Sequence, residues 1–469
     1  MISFGTGGWR AIIGDGFTKE NVRRLSLALA KRMSRDGTAR EGLAIGYDRR
    51  FLSREAAQWA AEVFASEGVR VRVIDRDAPT PLVMFTVKRL GLPFGMSVTA
   101  SHNPAIYNGV KLFLAGGRDA DEGFTQELAR EANALTLEGC DPAPYEEARE
   151  AGRIEEINPR NDYLDSIIAA VDMDRIRQAN LYIVLDPMYG VSGTSLETIL
   201  LTARCDVDLI HGRRDTLFGG RLPAPNVETL DDLRLIVSER HADIGIATDG
   251  DADRLGIISD AGKFVHPNRI LSLLYYYLLE YKGWRGAAVR NLATTHMLDR
   301  IAQAYGQACV ETPVGFKHIS HAMAEHDALI GGESSGGMTV RGHILGKDGI
   351  YAAALLTEML AVTGSKLSAL LKLLEDRFGR FFMAEHDYAY PVSRLAQLQA
   401  LLTGDRLPAL SQKIVSVNDL DGRKLIFRDG WLIARFSGTE PRIRIFCEMP
   451  SLEQAEQLCL QMRDYLGLK

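Results

Sequence analysis

The sequence predicts an α/β protein of several domains, and three observations carry that prediction. Short apolar runs typical of buried strands alternate with amphipathic helical patterns through most of the chain. A length of 469 residues exceeds a single hydrophobic core and indicates three or four domains. The C-terminal part differs, because Asp429-Gly430 is a strong hairpin signal and Ser451–Gln454 is a capping box that opens a last helix. We therefore expect α/β domains followed by a smaller α+β domain.

Individual elements follow from these patterns. The predicted strands are Leu43–Tyr47, Val69–Ile74, Phe94–Thr99, Leu181–Leu185, Cys205–Ile210, Ala242–Ala247, Ala287–Leu292, Cys309–Glu311, Ala328–Ile330, Leu425–Phe427 and Trp431–Phe436. Helices are expected to begin near Ser53 and to run from Asp348 to Leu360. Two stretches are expected to be boundaries, the polar and proline-containing residues 139–160 and residues 377–391. The predicted domains are residues 1–150, 151–254, 255–376 and 377–469.

Composition narrows the class of protein. Hydrophobic content of 46% and charged content of 25% are those of an ordinary globular protein. A net charge of −6 argues against a nucleic-acid partner. The five cysteines are scattered without paired spacing, which favours a reducing cytoplasm and excludes a zinc site of paired cysteines. We expect no signal peptide, and the most apolar helix, Ile350–Val362, is too short to span a membrane.

The most informative loop contains Asp249, Asp251 and Asp253 at alternate positions, separated only by glycine and alanine. Taken alone, an Asp-rich turn is more often a solvated loop. Three carboxylates turned inward would repel one another unless a hard divalent cation lay between them, and oxygen-only ligands indicate Mg²⁺ or Ca²⁺. An EF-hand is excluded, because its glycine position would be Arg254 and its glutamate position Asp260. An arginine beside a metal also predicts an anionic ligand.

A second loop, residues 98–104, follows a β-rich run and presents the hydroxyl of Ser101. Asn103-Pro104 prevents helix or strand from continuing there. A Ser-His catalytic pair with His102 is not expected, because neighbouring side chains in a loop usually diverge and no acid is evident to orient the base. An ordinary turn with a solvent-facing serine is the simpler alternative.

Together these loops resemble the α-D-phosphohexomutase superfamily, and the resemblance runs the length of the chain. Seven segments match in family order: Phe4–Arg10, Gly46–Arg50, Thr99–Pro104, Asp249–Arg254, Pro313–Lys317, Gly332–Gly336 and Arg435–Pro441. The resemblance implies three similar α/β mixed-sheet domains plus a smaller C-terminal α+β domain around a central cleft. It also implies that Ser101 carries a phosphoryl group between turnovers and helps the three aspartates to hold Mg²⁺.

The resemblance assigns further catalytic roles around that serine. Lys111 matches a lysine assigned to proton transfer, and crowding by other cations would lower its pKa enough for it to act as a base. Its alternative is a surface lysine on a short strand. Arg10, Arg254 and His102 complete the expected catalytic group, with the arginines balancing the charge of phosphate and aspartates.

The segment Gly332–Gly336 fits the nucleophile-elbow pattern of α/β-hydrolases, but the residues after it read as loop and strand instead of the required helix. As a sugar-binding loop it offers Glu333 and Ser335 to hydroxyl groups, and Lys317 is a further expected substrate contact. Some phosphomannomutase-like and phosphoglucosamine-mutase-like members have histidine where this chain has Gly337. Residues 342–349 instead resemble the phosphoglucomutase branch, so His343 or Lys347 is expected to take the proton-donor role or to cap a helix.

The resemblance implies that the tail binds the phosphate that is not being transferred. A guanidinium, two hydroxyls and flexible backbone N–H groups suit a phosphate. The expected contacts are Arg435, Ser437, Gly438, Thr439 and Arg444. Arg442 is as well explained by simple exposure.

The resemblance therefore implies a cytoplasmic, Mg²⁺-dependent phosphohexomutase that works through a hexose 1,6-bisphosphate intermediate. Glucose phosphate is the first expectation, mannose phosphate the second and glucosamine phosphate the third. The expected partner is a small sugar phosphate, with neither nucleic acid nor membrane, and the protein is expected to be a monomer or homodimer. A non-catalytic sugar-phosphate-binding protein on the same scaffold is the alternative of another class.

Overall fold

The computed structural model describes residues 1–5, 7–437 and 441–469. The chain divides into two compact units. The first unit contains residues 1–267 and 335–368, and the second contains residues 268–334 and 369–469.

The first unit begins with a mixed sheet flanked by helices. Its elements are β1 (Phe4–Gly5), β2 (Gly8–Ile12), α1 (Lys19–Arg35), β3 (Leu43–Tyr47), α2 (Ser53–Ser66), β4 (Val71–Ile74), α3 (Thr80–Arg89), β5 (Phe94–Val98), β6 (Tyr107–Leu114), β7 (Arg118–Asp119), α4 (Glu122–Ala134), α5 (Tyr145–Glu150) and β8 (Ile154–Ile157). The strand order is β1-β2-β6-β5-β3-β4-β8, with β7 paired to β6. β5 and β6 are antiparallel neighbours, and Ser97 lies opposite Lys111. This register brings Lys111 beside the loop that leaves the end of β5.

Residues 139–160, expected to be a linker, form regular structure, and their role as a boundary between domains stays a prediction. The stretch contains α5 and β8, and β8 extends the sheet by pairing in parallel with β4. Tyr145 and Ile154 are buried in the core of this domain. The charged residues that suggested a linker cover the exposed side of an edge strand, and backbone pairing, which composition does not report, holds the strand in place.

A second mixed sheet follows. Its elements are α6 (Arg160–Ala170), α7 (Met173–Ala179), β9 (Tyr182–Asp186), α8 (Gly193–Thr202), β10 (Asp206–Leu209), α9 (Asp231–Arg240), β11 (Ile244–Thr248), β12 (Leu255–Ser259) and β13 (Phe264–Val265). The order is β10-β9-β11-β12-β13. The aspartate loop joins β11 to its antiparallel partner β12, so the sheet extends past the predicted domain boundary at residue 254.

The next stretch contributes to both units. Its elements are α10 (Pro267–Glu280), β14 (Ala288–Asn291), α11 (Met297–Ala304), β15 (Cys309–Thr312), α12 (Phe316–Glu325), β16 (Ile330–Gly332), β17 (Met338–Val340), α13 (Gly349–Thr363) and α14 (Leu367–Phe378). In the second unit, β14 lies between β15 and β16 and pairs in parallel with both. Asp348 caps α13, accepting hydrogen bonds from the backbone N–H groups of Ile350 and Tyr351.

The C-terminal domain lies in the second unit and is built on one antiparallel sheet. Its elements are β18 (Phe382–Ala389), α15 (Leu395–Thr403), β19 (Ser416–Asn418), β20 (Arg423–Ile426), β21 (Trp431–Phe436), β22 (Arg442–Met449) and α16 (Leu452–Leu466). The order is β18-β22-β21-β20-β19. The stretch expected to be a boundary, residues 377–391, contains all of β18, which pairs with the full length of β22, and the boundary itself stays a prediction.

Within the second unit, a largely buried ion cluster joins the C-terminal sheet to the preceding parallel strands. The side chain of Lys424 on β20 is fully buried and hydrogen-bonds Glu311 on β15. Glu311 also pairs with Arg290 on β14. Lys424 Nζ lies 3.0 Å from His296 Nε2, and Trp431 and Ile433 pack against Leu292 beside this cluster. Polar and apolar contacts thus hold the two parts of this unit together.

Among the described residues, no single helix has the length and apolarity needed to cross a membrane. The helices α13 and α14 reach that length and apolarity only when taken together, and they are bent by 84° relative to each other.

Candidate active site

Ser101 lies in a strained and fully enclosed loop. It follows β5 and has a φ of 51°, a left-handed value that is uncommon for a residue with a side chain. Its side chain is buried, and its hydroxyl donates to Asp249 Oδ2 at 2.6 Å. Such strain persists only where the surroundings enforce it, and it concentrates at functional sites.

Arg50 enforces the shape of this loop. Its buried guanidinium donates to four backbone carbonyls, those of Ser101, Asn103, Pro104 and Tyr107. All four carbonyls belong to the loop or to its continuation into β6. Sequence reasoning recognised the segment that contains Arg50 but assigned it no role.

Asp48 completes the support from the same strand end. Its carboxylate accepts from the Thr99 hydroxyl at 2.6 Å and from the Ser53 hydroxyl at 2.6 Å. Thr99 in turn accepts from the backbone N–H of Ser101 at 2.8 Å. The serine is therefore positioned through a hydrogen-bonded chain that begins at the end of β3.

The aspartate loop forms a tight, buried turn. Asp249, Asp251 and Asp253 are all buried, and one carboxylate oxygen from each lies within 4.8 Å of the other two. Asp249 Oδ1 accepts from the backbone N–H groups of Asp253 and Arg254, both at 3.0 Å. A Cβ at Gly250 would fall 2.7 Å from the Ser101 carbonyl oxygen, so glycine is required for this loop to approach the serine loop.

These residues fit a divalent cation. Within residues 1–5, 7–437 and 441–469, Oδ1 of Asp251 and Oδ1 of Asp253 are buried without a hydrogen-bond partner. A buried carboxylate oxygen without a partner is costly unless a cation meets it. Thr80 supports the set from the start of α3, because its hydroxyl donates to Asp251 Oδ2 at 2.7 Å. The three carboxylates could therefore hold a divalent cation, and their role as metal ligands stays a prediction.

Lys111 lies among these carboxylates. Its ammonium nitrogen is 2.6 Å from Asp251 Oδ2 and 2.6 Å from Asp253 Oδ2. Burial alone would lower the pKa of Lys111, but the two carboxylates outweigh burial and raise it. The expectation of a lowered pKa is therefore wrong here, because the nearest charges are carboxylates instead of cations. Lys111 also holds the pKa of Asp253 well below its usual value, against the effect of burial.

The expected cations gather at the same place. Arg10 on β2 donates to the Asn103 side chain at 2.6 Å, and burial together with Arg254 lowers the pKa of Arg10 to about 10. Burial, Arg254 and Arg10 also hold the pKa of His102 well below its usual value, which keeps the ring neutral. His102 Nδ1 is 3.3 Å from Ser101 Oγ, so these side chains do not diverge as expected. The left-handed backbone at Ser101 accounts for the difference.

The side chains of Lys347 and His343 make different contacts. Lys347 Nζ lies 2.9 Å from Asp253 Oδ2, within the metal-site cluster. His343 Nε2 lies 2.6 Å from Asp348 Oδ2, which also accepts from the Tyr163 hydroxyl at 2.8 Å. His343 thus braces the aspartate that caps α13, whereas Lys347 joins the carboxylates.

In the second unit, Glu333 follows β16 and is 9% exposed. Its carboxylate accepts from the Asn291 side chain at 3.1 Å. Lys317 lies in the first turn of α12. Ser335 is the first residue of the stretch that returns to the first unit. These substrate-binding assignments stay predictions.

Arg435 and Arg444 lie directly opposite each other on β21 and β22. Like charges in register on neighbouring strands are destabilising, and an anion between them removes that cost. Ser437 follows β21 immediately. Gly438 and Thr439, also expected to bind phosphate, lie outside the described residues.

Comparisons with known proteins agree along the whole chain. Models of the phosphoglucomutase/phosphomannomutase family match in order: alpha/beta/alpha domain I at residues 1–138, domain II at 161–262, domain III at 266–378 and the C-terminal domain at 392–465. A phosphoglucomutase/phosphomannomutase of Thermococcus kodakarensis is 31% identical, covering 99% of this chain and 97% of that protein.

Two further relatives differ in name. A Pyrococcus abyssi protein named as a phosphoglucosamine mutase is 31% identical, covering 97% of this chain and 95% of its own length. A Thermus thermophilus structure described as a phosphomannomutase has a TM-score of 0.84 at 30% identity, with 99% of both chains covered.

The chain belongs to the phosphoglucomutase/phosphomannomutase family of the α-D-phosphohexomutase superfamily. It is an intramolecular phosphotransferase with three α/β domains and a C-terminal domain built on an antiparallel sheet. The predicted fold class and enzyme class are confirmed.

Proposed function

We propose that this enzyme interconverts a hexose 1-phosphate and the corresponding hexose 6-phosphate through a phosphoserine at Ser101. The observation that carries the proposal is the buried Ser101 hydroxyl, which donates to Asp249 at 2.6 Å beside Asp251, Asp253 and Lys111. A sugar-phosphate-binding protein without catalysis needs neither a strained buried serine nor three carboxylates around it.

In the forward direction, phosphoserine 101 gives its phosphoryl group to the free hydroxyl of the bound hexose monophosphate. The phosphorus–serine oxygen bond breaks, a phosphorus–sugar oxygen bond forms, and the hydroxyl proton leaves to a base. The resulting hexose 1,6-bisphosphate turns round and returns its other phosphoryl group to Ser101. A hexose 1,6-bisphosphate thereby also serves as the activator of unphosphorylated enzyme.

The residues supply position and charge for this transfer. Asp249, Asp251, Asp253 and Ser101 would hold Mg²⁺, which supplies Lewis-acid stabilisation of the charge that develops on the phosphoryl oxygens. Arg10, Arg254 and His102 line the approach to the serine, and the two arginines bring positive charge for the phosphate. Lys111 keeps its proton among the carboxylates.

A further set of residues is proposed to bind the parts of the substrate that do not react. We assign Glu333, Ser335 and Lys317 to the sugar, and Arg435, Ser437 and Arg444 to the phosphate that is not transferred. The paired register of Arg435 and Arg444 supports the phosphate assignment. The arrangement of the four domains around a central cleft, the cytoplasmic location and the monomer or homodimer stay predictions.

For the sugar, we propose glucosamine phosphate in place of our first expectation of glucose phosphate. Relatives that cover nearly the whole chain carry the name phosphoglucosamine mutase, including the one from Pyrococcus abyssi. The carboxylate of Glu333 accepts hydrogen bonds from an ammonium group as well as from a hydroxyl, so the site suits this sugar.

The test compares kcat/KM for glucosamine, glucose and mannose 1-phosphates, with Mg²⁺ and the matching bisphosphate present. We expect glucosamine 1-phosphate to give the highest value. A higher value for glucose or mannose would overturn the choice of sugar and leave the mutase mechanism standing. No turnover of any of the three by folded, Mg²⁺-loaded enzyme would overturn the catalytic proposal.

A further inference from the structure

Asp421 joins two parts of the second unit through a single carboxylate oxygen. Its Oδ2 accepts a hydrogen bond from the backbone N–H of Val314 at 3.0 Å and lies 3.3 Å from Nε of Arg435. Val314 precedes α12, whereas Arg435 lies near the end of β21. The carboxylate therefore links the loop before one helix to a side chain of the C-terminal sheet.

The turn that carries Asp421 is shaped to fit against Arg435. Gly422 has a φ of 82°, and a Cβ at that position would fall 2.6 Å from Cβ of Arg435 and 2.5 Å from the carbonyl oxygen of Ala434. Only glycine accommodates both this backbone conformation and this close approach. The turn between β19 and β20 thus packs directly on the strand that holds the arginine.

Arg435 needs a counter-charge on this side. It faces Arg444 across the β21–β22 pair, and its side chain is 9% exposed. Arg444 lies 3.9 Å from Asp387 on β18, a carboxylate that it shares with Arg442 at 3.5 Å. Arg435 and Arg444 thus each lie beside a carboxylate. Arg435 is the more buried of the two, and its carboxylate is Asp421.

The other contact reaches the loop of residues 313–315. Gly315 has a φ of 126° and is the N-cap of α12, which carries Lys317 in its first turn. The hydrogen bond from Val314 to Asp421 therefore fixes the start of this helix to the same point as Arg435. An arginine whose Nε lies beside a carboxylate can still present its two Nη groups to a phosphate.

We propose that Asp421 is a positioning residue for substrate binding, which orients Arg435 toward the non-transferred phosphate and ties it to the helix of Lys317. This inference rests on the proposed role of Arg435 as a phosphate contact. Asp421 itself is not proposed to touch the substrate.

Two substitutions separate the contacts. In Asp421→Asn, the amide oxygen still accepts from Val314, but the negative charge beside Arg435 is gone. In Asp421→Ala, both contacts are lost. We expect Asp421→Asn to raise KM for the hexose 1-phosphate roughly three- to tenfold with a smaller change in kcat, as for a coupled charge pair. We expect Asp421→Ala to raise KM at least as much and to release more hexose bisphosphate per turnover.

Asp419→Asn is the matched control, because Asp419 lies on the same turn and pairs with Arg423 at 3.0 Å instead of Arg435. We expect this control to keep the wild-type KM. The decisive comparison places Asp421→Asn in the Arg435→Ala background, where it should raise KM no further. Thermal unfolding of each variant is measured beside its kinetics.

The outcomes distinguish this inference from the proposed function. If Arg435→Ala keeps the wild-type KM, the phosphate role of Arg435 fails and the inference fails with it. If Arg435→Ala weakens binding but either Asp421 variant has the wild-type KM, or the two effects simply multiply, the inference fails and the phosphate role stands. The inference is supported if Asp421→Asn raises KM when Arg435 is present and raises it no further in the Arg435→Ala background.

Discussion

Gly337 and Lys347 fit together as a pair. A Cβ at residue 337 would fall 2.2 Å from Cδ of Lys347 and 2.8 Å from its Cγ. The glycine therefore provides the space through which the stem of Lys347 passes to reach Asp253 at 2.9 Å. Some members of the superfamily carry histidine at the position of Gly337. In this chain the aliphatic part of the Lys347 side chain occupies the space beside that glycine.

We expect Gly337→Ala to displace Lys347 and leave Asp253 with one fewer cation. We expect a loss of transition-state stabilisation of about 1.4 kcal/mol, which corresponds to a roughly tenfold fall in kcat/KM. Gly123→Ala is the control, because an added Cβ there meets nothing closer than 3.6 Å. Steady-state kinetics that give wild-type kcat/KM for Gly337→Ala would show that the position of Lys347 does not matter.

A second prediction concerns Arg50, whose guanidinium binds four backbone carbonyls. Arg50→Lys keeps the positive charge, but a compact ammonium group lacks the planar guanidinium that reaches all four carbonyls. We expect kcat to fall and the free energy of unfolding to drop by about 1–3 kcal/mol, the cost of unsatisfied buried groups.

The neighbouring Arg49→Lys provides the comparison, because Arg49 pairs with the partly exposed Asp77 at 2.7 Å and donates to one backbone carbonyl, that of Gly212, at 3.0 Å. Its loss of stability should be smaller than that of Arg50→Lys, because one carbonyl instead of four loses its arginine partner. Equal kcat values for Arg50→Lys and wild type would contradict the role of Arg50 in holding the serine loop.

Asp251→Asn tests the metal site. The change removes one carboxylate from a set in which the Oδ1 atoms of Asp251 and Asp253 lack hydrogen-bond partners among the described residues. We expect Mg²⁺ affinity, measured by titration calorimetry, to fall by more than about tenfold, the smallest loss typical of residues that only support a metal ligand. Removal of Mg²⁺ by a chelator should stop turnover, and added Mg²⁺ should restore it.

Asp174→Asn is the matched control, since the Asp174 side chain is 81% exposed and distant in sequence from the aspartate loop. Its Mg²⁺ affinity should equal that of the wild type. The site assignment is wrong if Asp251→Asn binds Mg²⁺ as tightly as this control does.

His296 gives a prediction of pH dependence. Burial lowers the pKa of His296 to about 4, and the positive charges of Arg290 and Lys424 act in the same direction. The carboxylate of Glu311 opposes this shift in part. The unfolded chain takes up a proton near pH 6.5, while the folded protein keeps the ring neutral until about pH 4. Stability is therefore lost as the pH falls from 6.5 to 4, by up to about 3 kcal/mol from this residue. The charged groups around the ring are Arg290 on β14, Asp299 on α11, Glu311 on β15, Lys424 on β20 and Glu448 on β22.

His296→Gln keeps a hydrogen-bond acceptor for Lys424 but does not titrate. Urea unfolding between pH 7 and pH 4 should show a smaller loss of stability in this variant than in the wild type. Parallel stability curves for the two proteins over that range would contradict the prediction. Acidic groups outside this cluster contribute equally to both curves, so the difference reports on His296 together with Glu311, whose pKa His296 helps to lower.

Part of the site could be predicted because its residues follow strand ends. Ser101 follows β5 and Asp249 follows β11, and buried strands are recognisable from apolar runs. The local sequence of the aspartate loop also showed that its side chains provide only oxygen ligands for a metal. The hairpin and the cap of α16 were predictable for the same reason, since both depend on neighbouring residues.

The remainder depends on contacts between distant residues. Thr80 reaches Asp251 across 171 positions, and Arg50 reaches Ser101 across 51. Neither contact leaves a local pattern. The pKa of Lys111 could not be inferred from neighbouring cations, because the sequence does not show that two carboxylates lie closer. The edge strand β8 was missed because its pairing is made by the backbone.

The central claim is that Ser101 carries the phosphoryl group, and intact-mass measurement tests it most directly. Enzyme incubated with Mg²⁺ and hexose 1,6-bisphosphate should gain the mass of one phosphoryl group, which fragmentation should place on Ser101. Ser101→Ala should gain none and lose mutase activity. A phosphoryl group found on another residue of the active enzyme, or full activity in Ser101→Ala, would contradict the account.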